Sequence, residues 1–262
     1  MTVDLLPVLL FGLALGCSAA PRGEDLDSSI ETGAGATISS REEIRILLVG
    51  DSTVASYPKT GTLRGWGQLF PERFDNRVSF QNAAVGGRSS KSFIDEGRWE
   101  AALTFRPTHV FIQFGHNDQP GKGPTRETDP SGSYRDYLRR YIRDSRAAGA
   151  EPVLVTSVAR RTFQKGRLTD TLRPWVEAAM EVGREEKVPV IDLHRASQTL
   201  FESLGDAAGS DLNAGGLNDR THFSEKGARL VARLVAEQIP DRVPSLVPYL
   251  NGSALAGSAG KE

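Results

Sequence analysis

The chain has almost no cysteine: Cys17 stands alone in 262 residues, which excludes an internal disulfide framework and a CxxC metal site. Its four histidines, His109, His116, His194 and His222, include no pair at metal-ligand spacing, so no metal is expected. Neither sign of charge is in excess. The 32 Lys and Arg against 33 Asp and Glu leave a formal net charge of −1, so the basic excess with which nucleic-acid binders neutralise phosphates is missing. No run reaches the roughly 20 apolar residues needed to span a bilayer. What remains, 39% hydrophobic and 25% charged residues, is an ordinary globular composition, enough for one large core and short for two domains.

The two ends differ from the middle. Leu5 to Leu15 has the length of a signal-peptide apolar segment, and the small residues Gly16 to Ala20 follow it, so residues 1–20 are expected to direct export. Ala14-Leu15-Gly16-Cys17 resembles a bacterial lipobox, which makes Cys17 the candidate lipidation site and membrane tether, with plain secretion or a buried N-terminal segment as the alternatives. Residues 21–40 are rich in Gly, Ser and acidic residues and read as a flexible linker, and residues 244–262 as a C-terminal tail.

Between them, short runs rich in Val, Ile, Leu and Phe alternate with segments of helical periodicity. Arg45–Val49, Val78–Asn82, Val110–Phe114, Val153–Thr156 and Val188–Asp192 are such runs, the pattern of strands buried on both faces. Trp66–Phe74, Ser90–Leu103, Tyr134–Ala148, Pro174–Lys187, Ala196–Leu204 and Ser224–Ile239 carry apolar residues three and four apart. The pattern predicts one α/β domain over residues 41–243, a five-stranded parallel sheet with helices on both faces. Ligands of such sheets lie beyond the carboxyl ends of the strands.

The loops at those ends carry reactive residue types. Gly50-Asp51-Ser52-Thr53 follows the first strand, where a serine can expose its hydroxyl as a nucleophile, and where Asp51 or Ser52 can equally cap a helix. Gly86-Gly87-Arg88 follows the second; paired glycines suit close approach to a ligand or a tight turn. Gly115-His116-Asn117-Asp118 follows the third, and its Asn can donate to an oxyanion or hold a turn. Asp219-Arg220-Thr221-His222 precedes the last helix, at a spacing that lets the carboxylate orient the imidazole as a base.

In this order the four blocks resemble those of the SGNH or GDSL hydrolases. GDSTVASYP, GWGQLF, NAAVGGRSSKSFIDEGRW, FIQFGHNDQ, SVARRTF and DRTHFSEKGA resemble the rhamnogalacturonan acetylesterases of carbohydrate esterase family 12, over about Ile44 to Ile239. The resemblance implies a flavodoxin-like three-layer α/β/α fold and deacetylation of a pectic polysaccharide without a cofactor. It makes Ser52 the nucleophile, His222 the base and Asp219 its orienting partner, with Ser52 N–H, Gly87 N–H and Asn117 as the oxyanion hole. Gly86 stands where the family more often has Ala.

Three other readings share these blocks: a lipase or thioesterase acting on acyl chains, an acetylesterase acting on another polysaccharide such as xylan, and a non-catalytic carbohydrate-binding protein. Arg88, His116, Arg160 and Arg161 are the expected substrate contacts, and cationic loops suit a uronate polymer better than an acyl chain. Tyr57 and Phe163 are the expected sugar-stacking rings, whereas Trp66, Trp99 and Trp175 are expected in the core. A monomer is expected.

Overall fold

The computed structural model describes residues 43–252. Cys17, the export segment and the linker lie outside the described residues, as does the end of the tail. Five parallel strands form the sheet, in the order β2-β1-β3-β4-β7. They are β1 (Ile44–Gly50), β2 (Val78–Asn82), β3 (His109–Gln113), β4 (Glu151–Val155) and β7 (Val190–Ile191). A separate hairpin of β5 (Phe163–Gln164) and β6 (Arg167–Leu168) stands apart from the sheet. The helices are α1 (Trp66–Leu69), α2 (Ser90–Asp95), α3 (Arg98–Leu103), α4 (Ser133–Ala147), α5 (Arg173–Glu185), α6 (Leu193–Leu204), α7 (Glu225–Ala236) and α8 (Ile239–Arg242).

Residues Ile46 to Val49 of β1 bury alternately on opposite faces, which is why that run is apolar throughout. Ile46 and Leu48 enter a core with α1, α6 and α7, and Leu47 and Val49 enter one with α3, α4 and α5. The expected three-layer α/β/α arrangement follows. The order 2-1-3 places the switch point between β1 and β3, so the loops after these two strands open side by side.

The structure differs from the sequence pattern in several places, among them the helix expected over Trp66–Phe74, which is α-helical over Trp66–Leu69 and 3₁₀ over Phe70–Arg73. The single helix expected over Ser90–Leu103 is two helices, because Gly97 adopts φ 71° and turns the chain between them. The strand expected over Val188–Asp192 shortens to Val190–Ile191, because Asp192 instead caps α6 by accepting from Arg195 N–H. The tail expected from residue 244 starts later. Residues 244–249 form a 3₁₀ turn that buries Leu246 completely, and Asn251 bonds the carbonyls of Glu72 and Phe74, so these residues close the core beneath α1 and β2.

Helix α7 sets up the site that precedes it. Ser224 caps it by accepting from Gly227 N–H, and Val231 and Val235 are fully buried at four-residue spacing, each contributing about 1.5–3 kcal/mol. Phe223 is also buried, against Phe201, so the residue just before it is held at the rim of the sheet. That residue is His222.

Candidate active site

At the end of β1 the chain turns sharply. A side chain on Gly50 would meet Val54 Cγ2 at 2.6 Å and the Gln113 carbonyl at 2.7 Å, so the turn is packed too closely against β3 for any other residue. Asp51 is fully buried and bends the turn with its own side chain: Oδ1 accepts from Thr53 N–H at 2.9 Å and from the Thr53 hydroxyl at 2.7 Å. The capping role thus falls to Asp51, which leaves the Ser52 hydroxyl uncommitted to the backbone. Tyr57 donates its phenol to the Ser52 carbonyl at 2.9 Å, and burial pushes that phenol up to about 12, so it stays a donor. The ring expected to stack on sugar is a brace for the nucleophile turn.

Ser52 faces His222 across the switch point. The His222 Nε2 lies 3.0 Å from Ser52 Oγ, and its Nδ1 lies 2.9 Å from Asp219 Oδ2. Burial raises the Asp219 carboxyl, but N–H groups of His222 and Thr221, each 2.9 Å from Oδ1, and the His222 ring outweigh it and hold the group below the usual carboxylate range. An ionised Asp219 places the proton on Nδ1, and the Nε2 lone pair then points at the serine hydroxyl. The arrangement can remove a proton from Ser52 Oγ and return it to a leaving group.

A buried polar network underlies the serine turn. Trp66 Nε1 donates to Gln113 Oε1, Gln113 Nε2 to Thr53 Oγ1, and Thr53 Oγ1 to Asp51 Oδ1. Asp51 Oδ2 sits 3.2 Å from His116 Nδ1. Burial holds His116 below the usual imidazole range, so it is neutral and donates from Nδ1; Asp51, raised by burial but lowered more by His116 and Thr53, stays ionised. His116 is 3% exposed and its Nε2 is enclosed without a partner, so the expected substrate contact supports the nucleophile turn from below instead.

The β2–α2 loop comes close to the serine turn: a carbon placed on Gly86 would lie 3.7 Å from Ser52 Cβ. Gly87 adopts φ 77°, and neither its N–H nor that of Ser52 donates to a protein acceptor among the described residues. The Asn117 amide gives one hydrogen to the Arg88 carbonyl at 3.1 Å, which fixes its nitrogen toward the β2–α2 loop and leaves the second hydrogen uncommitted. Asp118, fully buried, ties the two loops together by accepting from Ser90 N–H, the Ser90 hydroxyl and the Thr128 hydroxyl. Burial pushes its carboxyl up to about 7 against those hydrogen bonds. No group of His, Cys, Asp and Glu suited to a metal ion occurs among the described residues.

The cations expected at the substrate behave differently from one another. Arg88 remains at the surface, paired with Glu96 at 3.0 Å. Arg160 bridges loops, donating to the His116 carbonyl, Gln119 Oε1 and Thr221 Oγ1. Arg161 is corrected outright: it is 0% exposed, and its guanidinium donates to Asn213 Oδ1 and to the carbonyls of Gly205 and Asp206. Asn213 in turn donates to the His222 carbonyl at 3.0 Å, so Arg161 supports the catalytic loop and touches no solvent. Phe163 packs on the core from the hairpin, 5.9 Å from the Arg161 guanidinium, and Trp66, Trp99 and Trp175 are buried as expected. Sequence reasoning missed Gln113, Asp118 and the Asp51–His116 pair, although the acids and amides crowding the strand ends were visible.

A serine, a histidine and a carboxylate in hydrogen-bonded sequence, beside free N–H groups and an amide at the switch point of an α/β sheet, define a serine hydrolase site. The profile of the GDSL-like lipase/acylhydrolase family matches residues 48–230, and the chain belongs to that family. It is 38% identical over 207 residues to the rhamnogalacturonan acetylesterase RhgT of Bacillus subtilis (strain 168), covering 73% of this chain and 88% of the relative. The rhamnogalacturonan acetylesterase of Emericella nidulans is 29% identical over 208 residues, covering 71% of this chain and 81% of the relative. A catalytic mutant of Axe2, an acetylxylan esterase from Geobacillus stearothermophilus, shares the fold with a TM-score of 0.59 at 18% identity, over 75% of this chain and 94% of that one.

Proposed function

We propose that this protein is a serine esterase that removes acetyl groups from rhamnogalacturonan through an acyl-enzyme. Ser52 Oγ attacks the acetyl carbonyl while His222 Nε2 takes its proton, and Asp219 stabilises the imidazolium. Ser52 N–H, Gly87 N–H and the free Asn117 hydrogen hold the oxyanion. His222 returns the proton to the departing sugar hydroxyl, then activates the water that releases acetate. The observation that carries this reading is the unbroken Ser52–His222–Asp219 chain at 3.0 and 2.9 Å. Identity of 38% to RhgT supports the substrate.

An acyl-chain lipase needs an apolar groove beside the serine, whereas the cleft opening at Gly87 is lined by Arg88, Lys91, Asp95, Glu96 and Arg126. Acetate release from acetylated rhamnogalacturonan, homogalacturonan and xylan, with p-nitrophenyl octanoate as the lipase control, tests the reading. Preference for rhamnogalacturonan supports it, and preference for octanoate or xylan rejects it. The apolar segment before Cys17 further supports export with a tether through a lipidated Cys17. Mass analysis of the mature N-terminus decides this: lipid on Cys17 supports it, and an intact Met1 rejects it.

A further inference from the structure

The oxyanion side of the site opens into a cleft of about 580 Å³ lined by Gly87, Arg88, Lys91, Ser92, Asp95, Glu96, Thr125 and Arg126. It is too wide and too charged to hold an acetyl methyl, and it is of the size that takes a hydrated ligand. Two of its three cations already have carboxylate partners: Arg88 pairs at 3.0 Å with Glu96, which Arg98 also engages, and Lys91 pairs with Asp95 one helical turn away. Arg126 is the exception. Its Nε donates to the Lys122 carbonyl at 2.8 Å, which fixes the plane of the guanidinium, and no carboxylate lies within ion-pair distance of it among the described residues.

Position gives this unpaired fork its meaning. A side-chain carbon placed on Gly87 would lie 4.0 Å from Arg126 Nη1, with nothing nearer among its neighbours. Gly87 has no side chain, and its φ of 77° disfavours any other residue, so the guanidinium lies against the bare Cα face of Gly87. The loop that carries Arg126 is held in place by Asp118, which accepts from Thr128 Oγ1 and, through its carbonyl, from Thr128 N–H, while also accepting from Ser90 in the α2 turn. The donor and the fork are therefore fixed relative to each other through one buried carboxyl.

We propose that Arg126 is the anion anchor of a subsite beside Gly87 that takes the carboxylate of a uronate unit in the polymer, which sets preference for acidic over neutral polysaccharides. The inference rests on the proposed esterase reading. A guanidinium held by its Nε side keeps two parallel Nη donors for a carboxylate, a geometry a lysine lacks. Such a charge-assisted, bidentate pair is worth about a 10- to 100-fold change in affinity when the bound sugar covers it from water.

The test uses inhibition, so that it does not depend on polymer turnover. Hydrolysis of p-nitrophenyl acetate by the full chain is measured with deacetylated rhamnogalacturonan oligomers or neutral xylo-oligosaccharides as competitors, in wild type, Arg126→Gln and Arg126→Lys. The acidic oligomer is expected to inhibit wild type, with Ki rising at least about tenfold in Arg126→Gln, falling part of the way back in Arg126→Lys, and weakening with salt. Calorimetric binding of the same oligomer to Ser52→Ala and to Ser52→Ala/Arg126→Gln gives the comparison without turnover if the glutamine variant loses activity. Equal affinities in the presence and absence of Arg126, or no acidic preference in wild type, overturn the proposal. A wild type that prefers acidic oligomers through Arg126 yet releases no acetate from acetylated rhamnogalacturonan refutes the substrate reading and leaves the anchor standing.

Discussion

Replacing Arg161 with methionine tests whether a buried cation far from the substrate supports the histidine loop. Its guanidinium donates to Asn213 Oδ1 at 2.8 Å, Asp206 O at 2.8 Å and Gly205 O at 3.1 Å, and it is wholly enclosed. Methionine fills most of the volume but leaves three acceptors facing an apolar chain, each costing about 1–3 kcal/mol. Release of a desolvated charge offsets part of this, so a net loss of about 3–5 kcal/mol is expected, a large share of the roughly 5–15 kcal/mol of a typical domain. Asn213 then loses the partner that orients it while still holding the His222 carbonyl. A small displacement of the base should lower kcat on p-nitrophenyl acetate about tenfold with little change in KM. Urea unfolding and steady-state kinetics below the new midpoint read both effects. An unshifted urea midpoint with a raised KM on polymer alone would return Arg161 to the substrate and refute the reasoning.

Asn117→Ala is expected to lower kcat by about 10²–10³ with little change in KM, because its free hydrogen acts on charge that develops only in the transition state; a defect confined to KM contradicts that role. Asp118 is a carboxyl raised by burial to about 7, so between its unfolded value and about pH 7 the folded chain keeps a proton that the unfolded chain has released. Its contribution to stability therefore falls as pH rises from about 4 to 7. Urea midpoints of Asp118→Asn relative to wild type should improve across that window, and a difference that does not vary with pH sinks the assignment.

Much of this was legible in the sequence because it is local. The strands declare themselves by runs rich in Val, Ile, Leu and Phe, least so the half-buried edge strand β2, and Asp219 reaches His222 over three residues by a geometry that needs no tertiary information. Gly97 breaks a helix whose apolar spacing continues through it, so periodicity alone joined the halves. The second role of Asp51 was missed, and Arg161 was misread, for a different reason. Their roles depend on His116 and on Asn213, 65 and 52 residues away, and nothing in a charged side chain's neighbours along the chain says whether it will face water or be buried and paired. Arg126 escaped notice likewise, since its proximity to Gly87 arises only when the β3 loop folds back over α2.

The account stands or falls on Ser52 forming an acyl-enzyme. Rapid mixing of the protein with p-nitrophenyl acetate, acid quenching and peptide mass analysis measures it directly. One acetyl group on the peptide carrying Ser52, absent from Ser52→Ala together with its turnover, is the predicted result. Acetyl on another residue, or turnover that persists in Ser52→Ala, contradicts it.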